Sequence, residues 1–453
     1  MNLFDMVKKR KYKEMINHIK NNPNLNLNIQ DEFQNYLIEY VLDSNDLELI
    51  NFFLLRDIYL DIIDNNGTTI LYNLIKFNKI DILKLVINND LSKIGIDILD
   101  KKDIKGRTSL HYCVLFNNKE AIGYMLDNGG DPFITDIKGD NVFFYCIKYD
   151  RNDILFGLFK RFNNFNFKNR EGENLLQYSI NYSNQKVIDY LINKTNINLN
   201  NQTEEYGLTA LHQLTVNNDL ENIKNMVDKN ADIEISDYLG NNLIHFSIME
   251  KNNKIILYYL KQNKIDLNFP NLNGNTPLHL YLNDNDSYNE EILNLLIKNT
   301  NLNIQNYNGN SILHLLSKKQ LIKDYDKALK LKILNIFIQN YKGETVYNTY
   351  GNKDFLVDLA SESFFNGLSE GNLIINWEKE CAKVKDTDDQ KKINECLQKI
   401  KEVIKKENRS IPKTKKIKFD LNSGIILKDC FFSGFPIDTL FGILWLKKKY
   451  PKI

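Results

Sequence analysis

What this chain lacks first is charge of one sign. Lys and Arg together number 59 and Asp and Glu 58, a net of +1 over 453 residues. So even a balance removes the broad electrostatic pull that nucleic acid or an anionic membrane would exploit, and neither is expected as a partner. Cysteine is scarce as well, with five in all and no Cys-x-x-Cys pair. That excludes a disulfide framework, argues against zinc, and points to reduced thiols in an intracellular, cytoplasmic setting. There is no run of about 18 apolar residues, so no membrane-spanning helix is expected. The start, Met1-Asn-Leu-Phe-Asp-Met-Val-Lys-Lys9, becomes charged too early for a signal peptide. Proline is rare, while Asn, Ile, Lys and Tyr are used heavily. Such usage fits an AT-rich genome, that of a large DNA virus or a protist, and carries no chemistry. A phosphate-binding Gly loop, a nucleophile elbow and a metalloprotease helix are also missing, so no enzyme, cofactor or metal is expected.

What the chain does contain is one stretch, repeated. Asp103-Ile-Lys-Gly-Arg-Thr-Ser-Leu-His111 returns in variants whose glycines fall at Gly67, Gly106, Gly139, Gly172, Gly207, Gly240, Gly274, Gly309 and Gly343. The spacings are 39, 33, 33, 35, 33, 34, 35 and 34 residues. Gln34 stands 33 residues before Gly67 and keeps the phase without the glycine. In each unit a tight Asp/Asn-x-x-Gly turn comes first, because Asp or Asn can bond its own backbone and Gly accepts positive φ. A Thr, Ser or Asn follows as a candidate helix cap: Thr68, Thr108, Thr209, Thr276 and Ser311. A second helix then shows Leu and Ile at three- and four-residue spacing, as in Glu291-Ile-Leu-Asn-Leu-Leu-Ile297. Asn78, Asn118, Asn184 and Asn218 are placed in the turn between the two helices, where left-handed backbone suits Asn.

A period near 33 with the core Asn273-Gly-Asn-Thr-Pro-Leu-His279 resembles the ankyrin-repeat family over about the first 350 residues. The resemblance implies an all-α solenoid of helix-turn-helix units joined by β-hairpin loops, with a small non-repeat C-terminal region. The expected organisation is an N-terminal capping half-repeat at 1–30 and an array of about nine to ten units at 31–350. A closing segment at 351–376 and a helical region at 377–453 with an apolar end follow. The 39-residue spacing implies an insertion near Ser92 to Leu99, read as a longer hairpin loop.

Five of the six histidines, His111, His212, His245, His279 and His314, share one phase. Recurrence along an axis is the opposite of ligand convergence, and the resemblance implies that they bond between neighbouring hairpins. Cys113 and Cys146 are one period apart and suit core packing.

The middle residues of each turn lie at the hairpin tip, and several are apolar or aromatic: Ile104, Ile137, Tyr238, Leu239, Leu272, Tyr307 and Tyr341. Exposed aromatics in a row are good interface anchors. Ankyrin proteins as a family bind partners along the tips and the adjoining inner helices, so these residues are the candidate protein-binding site of a non-enzymatic scaffold. In the tail, Phe435-Pro-Ile-Asp-Thr-Leu-Phe-Gly-Ile-Leu444 resembles part of the F-box-like block that ends many poxviral ankyrin proteins, the rest of that motif being missing. It raises the alternative of a substrate adaptor for a ubiquitin ligase. A structural component of a virion is a further alternative.

Overall fold

The computed structural model describes residues 2–60, 62–63, 67–92, 98–284, 288–329, 334, 336, 338–352, 355–356 and 359, and, further on, 374–375, 417–420 and 424–427. By compactness the chain forms two units, residues 1–213 with 228–230, and residues 214–227 with 231–453. Both are built of antiparallel helix pairs, a short first helix and a longer second one.

In the first unit the pairs are Leu3–Lys8 with Tyr12–Asn21, Leu37–Asp43 with Leu47–Leu54, Ile70–Lys76 with Ile80–Ser92, Ser109–Leu115 with Lys119–Asp127, Val142–Lys148 with Asn152–Arg161, and Leu175–Asn181 with Gln185–Lys194. Ala210–Val216 and Leu220–Asp228 follow at the division. The second unit holds Leu243–Met249 with Asn253–Gln262, Pro277–Asp284 with Glu290–Asn299, Ile312–Lys318 with Asp326–Leu329, and the single turn Val346–Thr349. The nine pairs from residue 37 onward keep the sequence period.

Burial follows the helical pattern. Ile292, Leu293, Leu296 and Ile297 line one side of their helix and are fully buried, as are Leu49, Ile50 and Phe53 two hundred residues earlier. Burying each such side chain contributes roughly 1.5–3 kcal/mol. Where the usual Thr and His are missing, other groups fill the space. Phe144 is fully buried, its ring 5.0 Å from that of Tyr178 and 5.8 Å from that of Phe167.

Four expectations are corrected. The N-terminal stretch is not a half-repeat on one helical face but a complete helix pair, broken at Arg10 in left-handed backbone (φ 55°). Of the insertion expected near Ser92 to Leu99, residues 93–97 lie outside the described residues; the 13-residue helix Ile80–Ser92 ends where it begins. In two turns the left-handed residue is Asn117 or Ser183; Asn118 and Asn184 stand one place later as N-caps, while Asn78 and Asn218 are left-handed as expected. The cap before Ile70–Lys76 is Thr69, not Thr68. Within 377–453 the described residues are strands: Ile417–Asp420 pairs antiparallel with Gly424–Leu427, which also pairs with Ile374–Ile375. The helices expected over 377–408 and the F-box-like segment lie outside the described residues.

The nine periodic glycines all have positive φ, between 68° and 78°, and Gln34 has 67°. Gly309 shows why glycine is needed beyond its φ. A Cβ there would sit 2.6 Å from the backbone N of Tyr341 on the next hairpin, whereas a Cβ on Gly343 would meet nothing within 4 Å. Gly309→Ala and Gly343→Ala therefore both cost the left-handed penalty of about 1 kcal/mol, and only Gly309→Ala adds a clash. Denaturant melts should show Gly309→Ala at least twice as destabilising.

Candidate functional site: the hairpin tips and first-helix face

Within each unit, successive hairpins are tied to one another. In the first unit Ile137 N donates to Lys105 O at 3.0 Å, Arg170 N to Lys138 O at 3.0 Å and Glu204 N to Glu171 O at 2.9 Å. In the second unit Leu272 N donates to Leu239 O at 2.8 Å, Tyr307 N to Asn273 O at 3.3 Å and Tyr341 N to Asn308 O at 3.2 Å. Within a hairpin the Asp or Asn side chain fixes the turn. Asn306 Oδ1, for example, accepts from the backbone N–H groups of Asn308 and Asn310 at 3.0 and 3.1 Å. The tip side chains are thus set on ordered backbone.

The periodic histidines form the second tie. His279 Nδ1 lies 3.2 Å from the backbone N of Thr276 and Nε2 lies 3.1 Å from Asn310 O of the next hairpin. His111, His245 and His314 repeat this with Asp140 O, Asn275 O and Glu344 O. His212 makes the same Nδ1 contact to Thr209. An N–H pointing at Nδ1 makes that atom an acceptor, so Nε2 carries the hydrogen and donates to the carbonyl. The geometry suits neutral imidazole only. Burial accordingly pushes His111, His245 and His279 down to about 4. Gln177 occupies the same place in one repeat and donates to Asn201 O and Leu208 O. Burial pushes the Cys113 and Cys146 thiols up, so both are inert packing groups. Among the described residues no three His, Cys, Asp or Glu side chains are grouped as a metal would need, and no helix is long and apolar enough to cross a membrane.

All seven tip residues are exposed, from 51% for Ile137 and Leu239 to 78% for Tyr341. The ladder makes Ile104 and Ile137 neighbours in the first unit, where Arg170 and Glu204 then replace apolar side chains. In the second unit it strings together the Tyr238–Leu239, Leu272, Tyr307 and Tyr341 tips. Tyr307 and Tyr341 also cover the preceding glycines, their Cδ1 atoms lying 2.7 Å and 2.9 Å from where a Cβ of Gly274 and Gly309 would be. They are therefore partly packing groups, which still show 62% and 78% of their surface.

A second row went unread in the sequence. On the first helices of the first unit, Tyr72, Tyr112, Tyr145 and Tyr178 lie beside Phe77, Phe116, Tyr149 and Tyr182. Ring centroids are 4.6 Å apart for Tyr72–Tyr112, 5.7 Å for Tyr145–Tyr149 and 4.7 Å for Tyr178–Tyr182. The Lys76 and Lys148 ammonium groups lie over these rings. Tyr145 and Tyr40 donate their hydroxyls to hairpin carboxylates, at 2.9 Å to Asp136 and 2.6 Å to Asp31. The signal was available as a Tyr six residues after the turn glycine in three successive repeats.

The profile of ankyrin repeats in three copies matches residues 37–136 and again 143–237, and that of the single ankyrin repeat matches 273–307, together about half of the chain. The chain belongs to the ankyrin-repeat family. It is similar to an ankyrin repeat protein of Acanthamoeba polyphaga mimivirus, 27% identical over 99% of this chain and 62% of that one. The array thus spans about three fifths of that relative's length. An ankyrin repeat protein of fowlpox virus is 48% identical over 46 residues, 10% of this chain and 33% of its own. These two relatives are viral, which agrees with a large DNA virus, one of the two sources that composition fits. Among solved structures, the ankyrin repeat domain of Bcl-3 is similar over 51% of this chain and 99% of its own, at a TM-score of 0.44 and 16% identity.

The histidines predict a pH dependence. Their folded values lie below the ordinary 6.5, so the stability they contribute is complete above pH 6.5 and is lost as pH falls towards 4. Each should cost about 1–2 kcal/mol by pH 5. Thermal melts at pH 7 and pH 5 should differ less for His279→Gln, which copies Gln177, than for the unmutated protein.

Proposed function

We propose that the array is a protein-binding scaffold whose partner lies across the hairpin tips of the second unit; the first-helix face of the first unit, where Tyr182 is exposed beside the buried Tyr178, is a separate candidate. The observation that carries the reading is the row of Tyr238, Leu239, Leu272, Tyr307 and Tyr341. Five large apolar side chains stand exposed on hydrogen-bonded, neighbouring backbone. Soluble chains rarely leave such rows uncovered without use. Ordered backbone also lowers the entropy lost on binding. With a net charge of +1, recognition rests on apolar burial, and capture should depend only modestly on salt. The viral relatives make a host protein the natural class of partner.

Affinity in such interfaces concentrates in one or two anchors, each costing about 2 kcal/mol or more when truncated, roughly 30-fold in Kd. A Tyr307→Ala, Tyr341→Ala double variant that keeps its melt should lose partners captured from native cells. A Tyr149→Ala, Tyr182→Ala variant tests the first-helix face separately. If the tip variant captures every partner as well as the unmutated protein does, the tips are not the binding surface.

A further inference from the structure

Most hairpins close on two polar side chains, the residue three before the glycine and the residue just after it. In four of them one of the two donates to the other. Arg107 Nε donates to Asp103 at 2.8 Å, Asn169 to Glu173 at 2.9 Å, Asn241 to Asp237 at 3.0 Å and Asn340 to Glu344 at 2.9 Å. Between hairpins of the second unit, amides continue the chain. Asn271 Nδ2 donates to Asn241 Oδ1, Asn306 to Asn275 and Asn340 to Asn310, at 2.9, 2.9 and 3.1 Å.

Hairpin 136–140 breaks this pattern, because both closing residues are acids. Asp140 is 3% exposed. Its Oδ2 accepts from the Tyr178 hydroxyl at a long 3.2 Å, and its Oδ1 has no partner. A buried carboxylate oxygen without a donor is costly, and a second negative charge beside Asp136 adds to the cost.

We propose that Asp140 keeps its proton above the ordinary carboxylate range, the neutral carboxyl replacing the neutral amide of Asn241, Asn275 and Asn310, so that protonation tightens hairpin 136–140 and proton loss loosens it. The surroundings favour the neutral form. Burial, then the charge of Asp136, pushes the Asp140 carboxyl up, while Tyr178, Lys148 and Asn169 pull the other way and do not prevail. Glu173 on the next hairpin is itself pushed up by burial. Tyr145 is committed to Asp136, Arg107 to Asp103, and neutral His111 to the Asp140 backbone carbonyl. With the folded value raised, stability is complete at low pH and falls as pH rises through it. The hairpin carries the exposed Ile137, and its Lys138 carbonyl takes the amide of Arg170. The proton therefore governs one joint of the tip ladder.

Infrared difference spectra of the full chain taken as pH is raised should show a protonated-carboxyl band that persists above the ordinary carboxylate range and that Asp140→Asn removes. Asp140→Asn should also melt above the unmutated protein, with a gap that widens as pH rises; taking the difference cancels the histidine contribution. Should Asp140→Asn fail to fold, Asn275→Asp should bring a new loss of stability at rising pH into hairpin 271–275. Loss of the band within the ordinary carboxylate range, or melting differences that stay constant with pH in both variants, would overturn the proposal.

Discussion

The structure depends on one hydrogen bond, repeated: a tip amide given to the carbonyl just before the preceding hairpin's glycine. A single helix pair cannot bury its apolar face, so each repeat needs a neighbour on either side. Two hairpins close enough to share that bond leave no room for a Cβ, and the turn demands positive φ. Glycine meets both demands, which is why it marks the period. The histidine tie joins the same neighbours, using Nε2–H as a second donor to a hairpin carbonyl that already accepts a backbone N–H of its own hairpin. Packing, turn geometry and polar satisfaction thus point to one arrangement.

Function follows from the same constraint. Because the backbone of a tip makes the tie to its neighbour, the side chain at the tip can vary, although Tyr307 and Tyr341 also pack on the preceding glycines. In the first unit this freedom yields Ile104 and Ile137, then Arg170 and Glu204. In the second it yields a nearly continuous run of Tyr and Leu. The scaffold is constant, and the tip side chains are what varies on it.

That division also explains what could be read from sequence. The glycines, the Thr–His pairs and the apolar phase were legible because each position tolerates few residue types. Gln34 was placed by spacing alone, and its left-handed backbone matches the glycine it replaces. Choices between adjacent similar residues were not legible. Asn117 and Asn118 both suit a left-handed turn and a cap, and only the backbone says which does which. Arg10 breaks the N-terminal stretch into two helices with no Gly or Pro to announce it. The acid pair Asp136–Asp140 went unread, since nothing in sequence shows that the second acid is buried. The aromatic first-helix row was visible as a period but was overshadowed by the tips.

The most direct test of this account is amide hydrogen exchange at the tips of the free protein. The amide of Tyr307 belongs to a residue 62% exposed, yet the ladder assigns it a bond to Asn273 O. It should exchange far more slowly than an unstructured loop amide, and Gly274→Ala should release it. If the Tyr307 amide exchanges at the free-chain rate in the unmutated protein, the hairpins do not hold one another and the account fails.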